Sequence, residues 1–451
     1  MEQDSSVNEE IQVNSAPVDL MDDSDLRVGE VDVEFVTGAA GTGKTYQLKK
    51  LIEEDRSAGL LCATTGVAAV NLSTTTINSV LGYFDTDSLA DAYAHGKLVR
   101  KIMNVARQYK RLMIDEISML EATQLDIITQ AVMDANARDG ANQLGITLTG
   151  DFAQLAPVKG KWAFEASSWP RYAEKTRRLT KIWRQDNEEF LAALNLARAG
   201  KGIEAAEALR SLAKWSAGID TNFDGTTIVA KNDEVERINT LRYMQLKGKE
   251  KRFRSARWGV QRGEWKNIPE FIQLKIGALV MILTNGKEAG RLLYANGDQG
   301  YVEEFSEAGV FVRLKRNDEV YLVPFTARQA ETKEKPDEEA QFDQLTGEIT
   351  TGFKRNPDGS QPYYDEERQR YVLGGITYLP LRLAYATTVH KSQGLTLDAV
   401  QIDPRGHFFG SPNMAYVALS RVKTPQGLKI VGTPEMLARR IKIAPEVLPW
   451  V

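Results

Sequence analysis

Val33-Glu34-Phe35-Val36-Thr37-Gly38-Ala39-Ala40-Gly41-Thr42-Gly43-Lys44-Thr45 reads as a buried strand, a glycine-rich turn, and a helix over Tyr46 to Ile52. Its second half fits the phosphate-loop pattern G-x-x-x-x-G-K-[ST]. The chemistry requires that order. Glycines let the backbone fold back so that successive N–H groups point inward at phosphate oxygens. The helix start adds its positive dipole end. Lys44 can reach the β- and γ-phosphates, and the Thr45 hydroxyl can ligate Mg²⁺. Gly38, Ala39, Ala40, Gly41, Thr42, Gly43, Lys44 and Thr45 are therefore read as the cradle of a nucleoside triphosphate.

Outward from this loop, 451 residues with 42% hydrophobic and 26% charged content describe a chain with ample core and room for about three domains. A single cysteine, Cys62, excludes an internal disulfide framework and fits a reducing compartment. No apolar run approaches the ~20 residues that span a bilayer, and the acidic N-terminus lacks a signal-peptide layout. The expected setting is cytoplasmic, with no membrane partner. The net charge of −4 divides unevenly along the chain. Residues 1–30 carry nine acids against Arg27, a net −8, and residues 328–370 carry a net −4, so the remainder sums to +8. Local charge decides whether a phosphate backbone is attracted, and the motif-bearing part is basic.

Residues 1–30, without periodicity or aromatics, read as a disordered acidic arm, a candidate for protein partners. From 31 to 180, short apolar strands alternate with helices, as a parallel sheet requires. The strands are placed at Val33–Val36, Leu60–Ala63, Arg111–Ile114 and Gly145–Leu148. Residues 181–242 read as helices Glu188–Ala199 and Ile203–Trp215, then a strand Thr227–Ala230. Short strands at Leu274–Leu283, Gly300–Phe305, Val310–Leu314 and Glu319–Val323 suggest a small β-barrel or sandwich. Residues 331–370 read as a polar loop or hairpin, and 378–451 return to α/β.

Arg111-Leu112-Met113-Ile114-Asp115-Glu116 is an apolar strand ending in two acids. After a phosphate loop, Asp115 is placed to ligate Mg²⁺ and Glu116 to polarise the attacking water. Gly150-Asp151-Phe152-Ala153-Gln154 follows another strand, and Gln154 at its tip could hydrogen-bond a γ-phosphate.

Together with Asp115–Leu120 and Gly150–Val158, the segments Leu381-Arg382-Leu383-Ala384-Tyr385-Ala386-Thr387-Thr388-Val389-His390-Lys391-Ser392-Gln393-Gly394-Leu395-Thr396 and Tyr416-Val417-Ala418-Leu419-Ser420-Arg421 closely resemble superfamily 1B helicases. The RecD/Dda-like and PIF-type group is the nearest match, with the motifs in the family's order from 31 to 430. The resemblance implies two RecA-like domains with ATP and Mg²⁺ between them. The first would cover 31–180, with a wedge insertion at about 80–110. The second would cover 181–242 and 378–451, interrupted by a β-rich SH3-like accessory domain at 243–377 with an acidic loop at 328–370. The resemblance also implies that Arg184, in Leu179–Gln185, and Arg421 act as arginine fingers, and that Gly394 lies against the nucleotide. A guanidinium reaching across a cleft stabilises charge on the γ-phosphoryl oxygens.

By the same resemblance, DNA contacts fall on Thr64, Thr65 and Gly66, on Thr76 and Asn78, and on Thr388, His390 and Lys391. Asn78 stands where the family usually has His, which removes a stacking ring. The basic stretch 94–111 and the nine bases of 242–266, interleaved with Tyr243, Phe253, Trp258 and Trp265, suit a single-strand track. Leu81-Gly82-Tyr83-Phe84 offers aromatic candidates for a strand-separating wedge. No Leu-x-x-x-Gln-x-x-Ala segment precedes the loop to read adenine, so preference for ATP comes from kinship. The reading is a monomeric ATP-dependent DNA helicase acting on single-stranded DNA and forks, with 5′→3′ polarity implied by the family. The alternatives are an NTP-driven translocase that displaces bound proteins and a nucleotide-gated DNA-binding module.

Overall fold

The computed structural model describes residues 30–450, apart from 73, 139, 141, 186, 289–290, 295, 333 and 343–348; nearly all of the acidic arm lies outside the described residues. Six strands build the first sheet: β1 (Val33–Gly38), β2 (Leu60–Ala63), β3 (Thr75–Thr76), β4 (Arg111–Asp115), β5 (Gly145–Gly150) and β6 (Thr176–Leu179). Their spatial order is β3-β2-β4-β5-β1-β6, all parallel. Phe35, Leu112, Ile114, Ile146 and Leu148 are fully buried, as strands covered on both faces must be. The order reverses between β4, β5 and β1, and ligands in such sheets sit at the carboxyl ends of strands near that switch. The phosphate loop, Asp115 and Gly150 all lie there.

The second sheet is also parallel, in the order Ala386–Thr388, Thr226–Val229, Val400–Ile402, Leu428–Val431, Lys214–Ser216. Helices Glu188–Arg198 and Gly202–Leu212 cover it. The last chain segment leaves this lobe: Ala444, Val447 and Trp450 pack with the core of the first. Trp450 stands 5.3 Å from Trp169 and 5.7 Å from Phe152, ring centre to ring centre.

A β-rich insertion interrupts the second lobe, between its strands Thr226–Val229 and Ala386–Thr388. Val320–Pro324, Gly309–Leu314, Gln299–Phe305, Leu279–Ile282 and Leu381–Leu383 form one antiparallel sheet around Val280, Val302, Val310, Val312 and Val323. A second antiparallel sheet joins Ala256–Gly259, Arg370–Tyr378 and Thr326–Thr332. The run Leu274–Leu283 divides into Phe271–Lys275 and Leu279–Ile282, because Gly277 turns the chain at φ 82°. The polar stretch 331–370, read as a loop or hairpin, contains a hairpin, Glu338–Phe342 against Ile349–Phe353.

Three expectations need correction. Tyr83 is buried in the first core and only Phe84, 89% exposed, projects outward. Within the basic stretch 94–111, Lys110 pairs with Asp55 and Arg111 with Asp32, so these two cations hold the fold. In 242–266, Phe253 and Trp265 are core residues, which leaves Tyr243, whose hydroxyl donates to Glu250, and Trp258, stacked on Tyr363, as the partly open rings. Among the described residues no helix is long and apolar enough to cross a membrane.

Candidate active site

The loop is built as the sequence requires. Gly41 and Gly43 take left-handed φ angles of 85° and 83°, and a β-carbon at Gly41 would stand 2.6 Å from Arg184 Cβ. Only glycine allows that approach. Gly43 opens the helix Lys44–Glu54. Lys44 is buried, and its ammonium donates to the carbonyls of Gly38 at 2.7 Å and Ala39 at 3.1 Å. Burial lowers its pKa against the pull of Asp151, Glu116 and Asp115. A cation resting on neutral carbonyls gains from exchanging them for phosphate oxygens.

Asp115 ends β4 and accepts the Thr45 hydroxyl at 2.7 Å and the Thr149 hydroxyl at 2.6 Å. The next residue, Glu116, sits at φ 59°, unusual for a side chain with a β-carbon. Burial and then the Asp115 charge push the Glu116 carboxyl up to about 7, against Lys44 and a hydrogen bond donated by Gln393 Nε2 at 3.0 Å. Gln393 follows the segment Val389–Ser392, so this bond crosses from the second lobe to the first.

Arg184 donates to the Ser420 carbonyl at 3.0 Å. Arg421 is buried and donates to the carbonyls of Val417, Ser392 and Leu395 and to the Ser420 hydroxyl. Neither guanidinium forms an ion pair among the described residues. Burial and the Arg421 charge pull Arg184 down to about 9, against the pull of Glu116, as expected of two crowded cations outside any close ion pair. Gln154 is also buried, and its Oε1 has no hydrogen-bond partner among the described residues.

These groups surround one cleft of about 560 Å³, lined by the loop, Asp115, Glu116, Gln154, Arg184, Gly394 and Arg421. Its volume is in the range of nucleotide-sized pockets. The donor set fits a nucleotide–magnesium pair: an orphaned amide oxygen, a parked ammonium, two unpaired guanidiniums, and a hydroxyl beside a carboxylate. Hard oxygen ligands of the last kind suit Mg²⁺, which keeps waters and phosphates as its other ligands. Among the described residues no cluster of three or more His, Cys, Asp or Glu could hold a metal by itself.

The structure also brings in residues that motif reading left out. Trp183, 62% exposed, rims the cleft beside Gly43, and its backbone N–H donates to the Gly41 carbonyl at 2.8 Å. Its only signal in sequence was its place next to Arg184. Thr149, which orients Asp115, carries no signal of its own, whereas Gln393, which holds Glu116, stands within the quoted segment Leu381–Thr396.

The DNA-contact candidates fall on two corresponding places. Thr76 ends β3 and caps the helix Ile77–Leu81 by accepting the Ser79 N–H, with Asn78 on the first turn. Thr388 ends its strand and caps Val389–Ser392 by accepting the Lys391 N–H, with His390 exposed on that turn. Lys391 donates to Asn232 at 3.0 Å. Thr64 donates to the Glu116 carbonyl at 2.8 Å, Thr65 accepts the Ala68 N–H, and Gly66 begins a short helix. Each lobe thus presents a threonine-capped helix start, a geometry that holds phosphate.

Residues 27–215 match a family model described as an AAA domain. The human ATP-dependent DNA helicase PIF1 is 32% identical over 420 residues, covering 90% of this chain and 59% of that protein. The Bdellovibrio bacteriovorus ATP-dependent DNA helicase Pif1 is 28% identical, covering 94% and 88%. Among solved structures, Bacteroides sp. Pif1 in complex with ADP-AlF4 superposes with a TM-score of 0.67 at 26% identity, covering 93% of this chain and 92% of that one. Bacteroides Pif1 bound to single-stranded DNA superposes at 0.55, with 26% identity and coverage of 92% and 91%. The chain spans less than two-thirds of the length of the human relative.

Proposed function

We propose that this chain is an ATP-dependent DNA helicase of the PIF1-type branch of superfamily 1B, a reading supported by its likeness to PIF1 helicases over 90% of its length. It would translocate on single-stranded DNA, with the 5′→3′ polarity that membership implies, and open duplex at a fork. The observation that carries the reading is the cleft itself, where the phosphate loop and Glu116 of one lobe face Arg421 of the other. A single chain supplies both sides of the cleft, which supports a monomer as the working unit.

In this reading Lys44 leaves the Gly38 and Ala39 carbonyls for the β- and γ-phosphates. Glu116 accepts a proton from the attacking water, and Gln154 meets the γ-phosphate. Arg184 and Arg421 stabilise the transferring phosphoryl group. Thr45 and Asp115 would hold Mg²⁺, which would supply charge neutralisation when bound. Trp183 offers a stacking face to the base, which supplies the base platform missing ahead of the loop. Hydrolysis alternates the grip of the two threonine-capped helix starts, with Thr64, Thr65, Gly66, Thr76 and Asn78 on one side and Thr388, His390 and Lys391 on the other. Phe84 is the wedge.

The test is ATP hydrolysis with and without single-stranded DNA, for wild type and Lys44→Ala. Wild type is expected to be stimulated by DNA. Lys44→Ala is expected to lose hydrolysis by about 100-fold or more while still binding DNA. Hydrolysis by Lys44→Ala at the wild-type rate would overturn the assignment.

A further inference from the structure

Ala40 is the third residue of the phosphate loop, and its backbone N–H donates to the Tyr416 hydroxyl at 3.0 Å. Tyr416 stands on the helix Met414–Leu419 of the second lobe, five residues before Arg421. The same hydroxyl donates to Asp151 Oδ2 at 3.3 Å. Asp151 is fully buried, directly follows β5, and begins the turn that carries Gln154. Arg198, from the helix Glu188–Arg198, completes the set with contacts of 2.8 Å and 3.3 Å to the Asp151 carboxylate. Asn413 reaches the same turn, donating to the carbonyls of Phe152 at 3.2 Å and Gln154 at 2.6 Å.

The partners alternate between lobes. The loop and Asp151 belong to the first, while Tyr416, Arg198 and Asn413 belong to the second. One hydroxyl, with a single proton and two lone pairs, can accept from the Ala40 N–H and donate to the carboxylate at once. Burial raises the tyrosine's pKa, so the proton stays in place at neutral pH. A phenylalanine would fill the same apolar space, so what the hydroxyl adds is the connection. Its position gives that connection consequence. The limb of the loop that it holds is the one whose carbonyls park Lys44. Beyond Tyr416, the same short segment carries Ser420, which holds Arg184, and then Arg421.

We propose that Tyr416 is a positioning residue for hydrolysis, fixing the Arg421 segment and the Gln154 turn in register with the phosphate loop. The proposal rests on the ATPase reading above. Its test is Tyr416→Phe, followed through DNA-stimulated kcat, the KM for ATP, ADP affinity and thermal melting. We expect kcat to fall about tenfold, which corresponds to ~1.4 kcal/mol, with ADP affinity within about twofold of wild type. In an Arg421→Lys background the same substitution should cost less than about threefold, because the geometry that it sets is already lost. An unchanged kcat overturns the proposal, whether or not the melting temperature falls. A loss that multiplies in full on Arg421→Lys, or one confined to ADP affinity, overturns it too. Wild type that fails to hydrolyse ATP with DNA overturns the ATPase reading itself, an outcome distinct from the other three.

Discussion

Replacing Trp183 by alanine removes an indole that the fold does not need. The ring is 62% exposed, and the segment is anchored by its backbone N–H on the Gly41 carbonyl at 2.8 Å, which alanine keeps. The other contact of the ring is the Lys181 ammonium, 3.8 Å over its centre, an exposed cation–π pair worth about 0.5–1 kcal/mol. The melting temperature should therefore scarcely move. Nucleotide binding should respond strongly. Stacking of a base on an aromatic ring contributes about 1–3 kcal/mol, and each 1.4 kcal/mol is tenfold, so ADP should bind about 5- to 150-fold more weakly. Stacking does not distinguish purines, so GDP should lose as much as ADP. Inorganic triphosphate, which has no base, should bind as before. Calorimetric titration of the three ligands against wild type and Trp183→Ala reads all of this. Less than a twofold change in ADP affinity, or an equal loss for triphosphate, would refute the assignment of Trp183 as the base platform.

Glu116 should impose a pH dependence. Burial and Asp115 hold its carboxyl up to about 7, and only the ionised form accepts a proton from water. The kcat/KM for DNA-stimulated hydrolysis should therefore rise with pH through about 7, and a profile flat between about pH 5.5 and 9 would exclude this role. Gln393→Leu removes a hydrogen bond that favours the charged form, so it should move the rise to higher pH. Phe84, at 89% exposure, contributes little to stability. Phe84→Ala should keep the melting temperature and the DNA-stimulated ATPase while slowing fork unwinding, and unwinding at the wild-type rate would remove Phe84 as the wedge.

The parts of the fold legible in sequence were those with a strong local signal. The strands of the first sheet stand out because burial on both faces makes them continuous apolar runs. The phosphate loop stands out because only glycine tolerates the approach of Arg184 to Gly41. β6, Thr-Arg-Arg-Leu, escaped notice because an edge strand need not be apolar, and its Arg177 pairs with Glu34. Charge and aromatic counts misled where tertiary contacts absorbed them, as with Arg111 on Asp32 and Trp265 in a core. The site was legible wherever a residue belongs to a motif. It was illegible where function depends on contacts across the cleft, since nothing local in Tyr416, Asp151 or Arg198 announces that they meet.

The central claim, a motor that converts hydrolysis into strand separation, is tested most directly by fork unwinding. Forked duplexes carrying either a 5′ or a 3′ single-stranded tail should be incubated with wild type or Lys44→Ala, with and without ATP. Wild type is expected to open the 5′-tailed fork only with ATP, and Lys44→Ala to open neither. Strand separation without ATP, or by Lys44→Ala, would contradict that claim.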